Sequence, residues 1–414
     1  MTDTMAEDRL QSGLRAYRWA VLAGLWGLYL CFGLGQVGIA PLVSAVQTDL
    51  GLSSSEMGMV LGSWQFLYVF TAIPGALFML RHGIPTTLTV GGLIVLASLV
   101  LRGAAWDFPS LLIAVSLLGA GGPVISIGAP VLVGQLFSGR ALGFAMGAYI
   151  TAPGVANILT YSLSGPVLIP FFGNWRMVLL TWAAISTIFL AGWIPIRSAL
   201  AGDTGPGGDP ERSGLPLSRD RGFLALICLA GAATLFVDHG FRFWGMEVAR
   251  SAGYDGGSAG LIAALAMALG LLALLVIPPL AVTRGSHIRV AMCLAGLVAS
   301  GTLAMMGLWG RPYFVAGFLA MGFAVGPLLT IALIPIVGHV RFTPRKRILV
   351  VAAFFAVAEI GGTLGPLTFG ILCDLTGGFE VALIILLAVA LAIPALLFGP
   401  GKRLETSQTK GSSE

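Results

Sequence analysis

The run VDHGFRFWGMEVAR places an acid and a base, Asp238 and Arg242, four residues apart at the end of a long apolar stretch. On a helix that spacing puts both on one face. His239, Phe241 and Trp244 cluster beside them. Counted at about 1.5 Å per residue from Phe223, Asp238 lies about 22 Å along, in the outer part of a hydrocarbon core roughly 30 Å thick. Charges at such a depth are costly and are functional candidates by default. The planar fork of Arg242 matches a carboxylate or similar anion, so one chemistry is the anchoring of a negatively charged solute. The other is a structural pair in which the two charges neutralise each other.

A second acid sits in FFAVAEIGGTLGP. Glu359 is about 17 Å into a helix that starts near Ile348, close to the midplane of a bilayer. A carboxyl able to gain and lose a proton there suits proton coupling, with Asp238 as the second such group; the bland alternative is a neutral Glu bonded to a neighbouring helix. The uncharged candidates are Tyr29 and Gln36, then Trp64, Gln65 and Tyr68, then Asn157. Side chains of this kind also serve as helix-to-helix hydrogen bonds. The candidate solute contacts are therefore Arg242, Asp238, His239, Trp244, Tyr29, Gln36, Gln65 and Asn157.

Several chemistries lack their residues. There is no His-Glu-x-x-His helix, so no catalytic residue is assigned and an enzyme is not expected. The only Gly-Lys pair, Gly401-Lys402, is followed by Arg403, so no phosphate-binding loop exists and energy must come from a gradient. Cys31, Cys228, Cys293 and Cys373 stand apart, with neither a disulfide framework nor metal-ligand spacing. Neither a cofactor nor a metal is expected.

The elements that must hold these side chains follow from composition. The chain is 57% hydrophobic and 10% charged, against roughly 25% charged in soluble domains. Its apolar runs reach the roughly 20 residues a helix needs to cross a bilayer, and the alternation of a β-barrel is absent. Twelve segments are expected, near 19–43, 56–79, 86–105, 109–137, 141–169, 175–196, 222–247, 258–281, 290–308, 312–338, 348–371 and 380–398. The first follows a polar leader and is too long for a signal-peptide core, so it is expected to remain as a spanning helix.

An even number of spans puts both termini on one side. Alternate breaks and both ends carry 18 of the 23 Lys and Arg, against Arg102, Arg176, Arg250 and Arg311 on the other side. That bias predicts cytoplasmic termini in a multi-pass protein of the inner (plasma) membrane. The net charge of +5 then reflects topology rather than nucleic-acid binding. Residues 197–221, with AGDTGPGGDPERSGLPLSRD, read as a cytoplasmic linker. They divide the chain into a six-helix half, 1–196, and a second, 222–399, followed by a cytoplasmic tail, 400–414. The expected partners are a small-molecule solute and membrane lipid, with the chain acting as a monomer.

The halves repeat each other. Trp106 and Pro109 recur as Trp309 and Pro312, 203 residues on, and Arg81 recurs as Arg284 at the same offset. Gly51 and Gly58 recur as Gly253 and Gly260, 202 on; Gly122-Pro123 recurs as Gly326-Pro327, and Gly134 as Gly338, each 204 on. Duplicated halves about an axis along the membrane normal are a transporter design, with the solute site between them near mid-membrane.

These features resemble the major facilitator superfamily over essentially the whole chain. PLVSAVQTDLGLSSSEMGMVLGSWQFLYVFTAIPGALFMLRHG is similar to its first two helices and the following loop, and GNWRMVLLTWAAIS to the start of its sixth helix. GGTLGPLTFGILCDLTGGFEVALIILLAVA resembles the last two helices of its cyanate-permease and oxalate/formate-exchanger branches. The resemblance implies an all-α fold of two pseudo-symmetric six-helix halves, secondary transport by alternating access, and a seventh helix lining a central cavity. It also implies a conformational loop around Arg81 and Gly83, with Arg284 in the second half. The family's Asp in that loop is replaced by Leu80 and Thr283, and its leading Gly by Ala76. The antiporter-type Gly-Pro pattern survives only as Ala152-Pro153 and Ala156, so antiport is not inferred. Two functions follow: transport of a small organic or inorganic anion, or efflux of hydrophobic or cationic drugs. Arg242 argues against the second.

Overall fold

The computed structural model describes residues 2–137, 139–200, 221–283, 287–306, 310–337 and 344–411. Every regular element among them is helical. The first crossing is α1 (Thr2–Val37), a 3₁₀ turn (Ala40–Leu42) and α2 (Val43–Leu50). The sequence suggests one segment there. Pro41 has no N–H for the helical ladder and crowds the carbonyl four residues back, so α geometry gives way after Val37. Then come α3 (Ser54–His82), α4 (Ile84–Gly103), α5 (Phe108–Leu136) and α6 (Gly139–Leu163). The fifth crossing is also interrupted: Gly165-Pro166 lies in a π turn, Ser164–Leu168, ahead of the short α7 (Ile169–Phe172). The first half closes with α8 (Trp175–Leu200).

The second half runs through α9 (Arg221–Ser251), α10 (Gly256–Thr283), α11 (His287–Met305), α12 (Arg311–Val337), α13 (Pro344–Thr376) and α14 (Glu380–Gly411). Among the described residues, eleven stretches are long and apolar enough to cross a membrane, and a further apolar helix, Arg289–Met305, is shorter. The linker residues 201–220, Arg284 and Trp309 lie outside the described residues.

The starts and stops have local causes. Ser53 accepts from the Glu56 N–H and Glu56 accepts from the Ser53 N–H, a capping box that starts α3. Asp107 and Ser110 make the equivalent box at α5. Hydrogen bonds from Ser110 hold the exposed Asp107 carboxyl below the usual range. The repeat reappears in the turns. Gly51 and Gly253 take φ of 65° and 87°, and Gly173 and Gly377 take 64° and 73°. Side chains rarely adopt these values, so glycine is required at matching corners of both halves.

Two buried contacts join the halves. α3 lies against α13 with little side chain between them: a Cβ on Gly58 would stand 2.7 Å from the Pro366 carbonyl, and one on Gly62 2.8 Å from that of Thr363. On its other face α13 is as close to α9, where a Cβ on Gly361 would run into the Ala232 carbonyl. α6 meets α10, with Gly260 against the carbonyl of Tyr161. Small residues let helix backbones approach in this way.

Arg102 departs from its expected place. Counted with the outer breaks by charge, it is instead buried at the end of α4, 1% exposed. Its Nη1 donates to the Gly35 carbonyl at 2.5 Å and its Nη2 reaches that of Val115 at 3.5 Å. A cation near the last turn of a helix is favoured by the helix dipole and by carbonyls with no intrahelical partner. Here the Gly35 carbonyl belongs to the last turn of α1, and that of Val115 to the middle of α5.

Candidate functional site

α9 brings Asp238, His239 and Arg242 to the boundary between the halves. The carboxylate of Asp238 accepts from Arg242 Nη2 through both oxygens, at 2.6 and 2.7 Å. With the Asn157 amide oriented to satisfy its neighbours, its oxygen accepts from Arg242 Nη1 at 2.5 Å and its nitrogen donates to the Pro153 carbonyl at 3.1 Å. The Tyr161 hydroxyl donates to the Arg242 carbonyl. α6 of the first half therefore grips α9 of the second at Arg242. Nε of Arg242 is buried and has no hydrogen-bond partner among the described residues.

The second part of the cluster centres on His239. Its Nδ1 lies 3.1 Å from Gln65 Nε2, on α3 of the other half, and 4.0 Å from Glu359 Oε2, on α13. Its Nε2 lies 3.6 Å from Asp238 Oδ2. Gln65, Asn157, Asp238, His239 and Glu359 are all buried. Gly362 leaves room for this arrangement, since a Cβ there would stand 2.6 Å from His239 Nδ1 and 2.7 Å from Glu359 Oε2. Gln65 Oε1 and Glu359 Oε2 are buried without a hydrogen bond among the described residues. Such unmet polar atoms are costly and call for an explanation.

Aromatic rings continue the cluster into the first half. Trp64 lies 5.9 Å from the His239 ring and 5.8 Å from Phe32. Phe32 stacks with Tyr29, and Tyr149 lies 5.7 Å from Tyr29. Tyr68 bonds Ser126 at 3.0 Å. Tyr29 thus flanks the cluster rather than joining it. Trp244 turns away: its Nε1 donates to the Pro366 carbonyl at 2.9 Å and its ring meets Phe379. Gln36, half-buried near the end of α1, has no hydrogen bond among the described residues. Arg81 is exposed in the last turn of α3, where Gly83 turns the chain with φ of 81°. Arg81 makes no ion pair among the described residues.

Two contacts that sequence reasoning missed bind the halves at the Ser54 end of α3. Asp374 accepts from the N–H groups of Ser54 and Ser55 at 2.9 and 2.7 Å. A carboxylate from one half thereby caps a helix N-terminus of the other. Glu247 accepts from the Ser44 hydroxyl at 2.8 Å through each oxygen and pairs with Arg250 at 3.0 Å; Arg250 also donates to Ser44. Glu247 and Arg250 announce themselves by their spacing of three, but their partner across the halves leaves no local signal. Among the described residues, every hydrogen bond between the halves lies at the polar cluster or on this side of it.

A family model described as Major Facilitator Superfamily matches residues 25–340. No curated protein matches the chain. Among solved structures, a bacterial homologue of the human lysosomal transporter Spinster, inward-facing and unoccupied, has a TM-score of 0.73 at 15% identity. The match covers 93% of this chain and 97% of that one. A structure of such a homologue in the inward-facing and occupied conformation gives 0.67 at 16% identity, over the same shares. At these identities the likeness is one of fold.

Proposed function

The chain belongs to the Major Facilitator Superfamily, and we propose that it carries a small organic or inorganic anion across the inner (plasma) membrane. It is a multi-pass secondary transporter that works by alternating access. The observation that carries the anion reading is the hydrogen-bonding state of Arg242. Its guanidinium is always charged, sits where the halves meet, and is held by Asp238 on one side and by the neutral Asn157 on the other. Nε remains without a partner. An anionic solute can take Nε and displace the Asn157 contact, which exchanges a bond between the halves for a bond to cargo. Asp238 keeps the site neutral when cargo is absent.

The positive-charge bias supports cytoplasmic termini. Among the described residues the bonds between halves gather at the opposite end, which supports a conformation closed on the outer side.

The test is a solute panel on purified protein, read by thermal unfolding, with mono- and dicarboxylates, inorganic anions and organic cations. A ligand at about 100 times its dissociation constant adds about 2.7 kcal/mol of stability. Stabilisation by an anion that weakens in Arg242→Lys is expected, because Lys keeps the charge but loses the planar fork. Stabilisation by organic cations alone would sink the anion reading and favour drug efflux, with Asp238 and Glu359 as the attracting groups.

A further inference from the structure

We propose that His239 is the proton link between Glu359 and the Asp238–Arg242 pair, and that Gln65 of the opposite half gates it. The inference rests on the proposed carrier function and adds its route of proton coupling. The two imidazole nitrogens face different carboxyls: Nδ1 is 4.0 Å from Glu359 Oε2 and Nε2 is 3.6 Å from Asp238 Oδ2. Neither distance is a hydrogen bond, which for N–H···O falls between about 2.7 and 3.2 Å. The chain of transfer is therefore open in this conformation. Gln65 keeps it open. With the Gln65 amide in this orientation, its Nε2 donates to Nδ1 at 3.1 Å, which puts the ring proton on Nε2, on the side of Asp238. A ring already bonded at Nδ1 cannot take a proton from Glu359.

The surroundings leave few other routes. From its own helix, His239 faces Asp238 and Arg242; from α13 it faces Glu359; from α3 it faces Gln65 and the Trp64 ring. Tyr68, one turn below Gln65, is engaged by Ser126, and Tyr161 by the Arg242 carbonyl. Beside His239 on α9, Gly240 and Gly245 meet Leu386 of α14 and Phe318 of α12, which are apolar.

The step balances without a co-reactant. Protonated Glu359 gives its proton to Nδ1, and Nε2 gives its own to Asp238 Oδ2. Glu359 ends as a carboxylate, Asp238 as a neutral acid, and the imidazole as the other neutral tautomer. Neutral Asp238 no longer balances Arg242, which is then free to hold an anion. Gln65 belongs to the first half, while Asp238, His239 and Glu359 all belong to the second. Rocking of the halves withdraws Gln65 and leaves the three transferring groups together, so proton transfer is tied to conformation.

The chain has four histidines, so isotope-labelled imidazoles of the full-length protein in lipid nanodiscs give few NMR signals, and His239→Gln identifies the one of interest. The relay predicts an Nε2–H tautomer in the unaltered protein. It predicts a growing share of Nδ1–H in Gln65→Leu. Asp238→Asn with Arg242→Gln, which leaves no buried charge unpaired, should change the Nε2–H signal by removing its acceptor. A His239 that keeps one tautomer in every variant is structural, and the relay is overturned. The anion panel reports on Arg242 and needs no proton transfer. Its failure would overturn the anion reading while leaving the histidine signals to decide the relay.

Discussion

Arg242 of the second half reaches Asn157 of the first, Nη1 to Oδ1 at 2.5 Å, while its Nη2 holds Asp238 at 2.6 and 2.7 Å. One side chain thus carries both an ion pair within its own helix and a bond between the halves. Removing one charge of a buried pair strands the other and costs about 3–5 kcal/mol, whereas removing both is often neutral. Arg242→Ala should lower thermal stability by that order. Asp238→Asn with Arg242→Gln should restore it while abolishing stabilisation by anions. A double variant that binds an anion as well as the unaltered protein removes Arg242 as the anchor.

Glu359 is buried and its Oε2 has no hydrogen bond. Glu359→Gln keeps its shape and cannot titrate. In proteoliposomes we expect it to abolish uphill uptake driven by a pH gradient while leaving solute exchange between the two faces. Gradient-driven uptake at the normal rate would take Glu359 out of the coupling.

The approach of α13 to α9 depends on the absence of a side chain at Gly361. Gly361→Ala must push the helices apart, and overpacking of this kind costs typically about 1–3 kcal/mol or more. Gly192→Ala, with nothing within 4 Å of its Cβ, is the control and should leave the unfolding temperature unchanged or raised. Equal unfolding temperatures for the two variants would contradict the packing described for α13.

Asp374 holds the halves together at the start of α3. Asp374→Ala removes that cap, a loss of about 0.5–2 kcal/mol, and should shift the population toward opening at this end. In a cysteine-free background, a cysteine at the buried Met57 should then react several-fold faster with a water-soluble maleimide. An unchanged rate means that Ser44, Glu247 and Arg250 suffice to keep the end shut.

Topology has its own measurement. A cysteine at Gly207, in the linker, should be labelled by an impermeant reagent only after the cells are opened, and one at Ser251, at the far end of α9, in intact cells. Labelling of both in intact cells would contradict the charge-bias argument.

The number of crossings, their order and the duplication were legible because they depend on local quantities. Apolar length, turn residues and a constant offset near 203 residues all survive in one dimension. The repeat even understated itself: Gly173 and Gly377, 204 apart, share the left-handed corner but stand out little among 58 glycines. Breaks within crossings were harder to place, because the proline of Ala40–Leu42 and the Gly-Pro of Ser164–Leu168 lie inside runs as apolar as any helix.

The sequence by itself determined which side chains are costly enough to matter. Asp238, Arg242 and Glu359 stand out because a charge in an apolar run must have a compensating reason. Their company was decided only by the tertiary structure. Gln65 meets His239 across 174 residues of chain, Tyr161 reaches the Arg242 carbonyl, and Trp244, equally eligible on its helix, turns to Pro366 instead. A hydrogen bond is set by direction over about 3 Å, and that direction comes from how whole helices are rotated against one another. Rotation is fixed by glycines such as Gly58, Gly62 and Gly361 at the contacts, each pressed against a backbone far away in sequence. Periodicity along one helix carries no record of which neighbour lies against it.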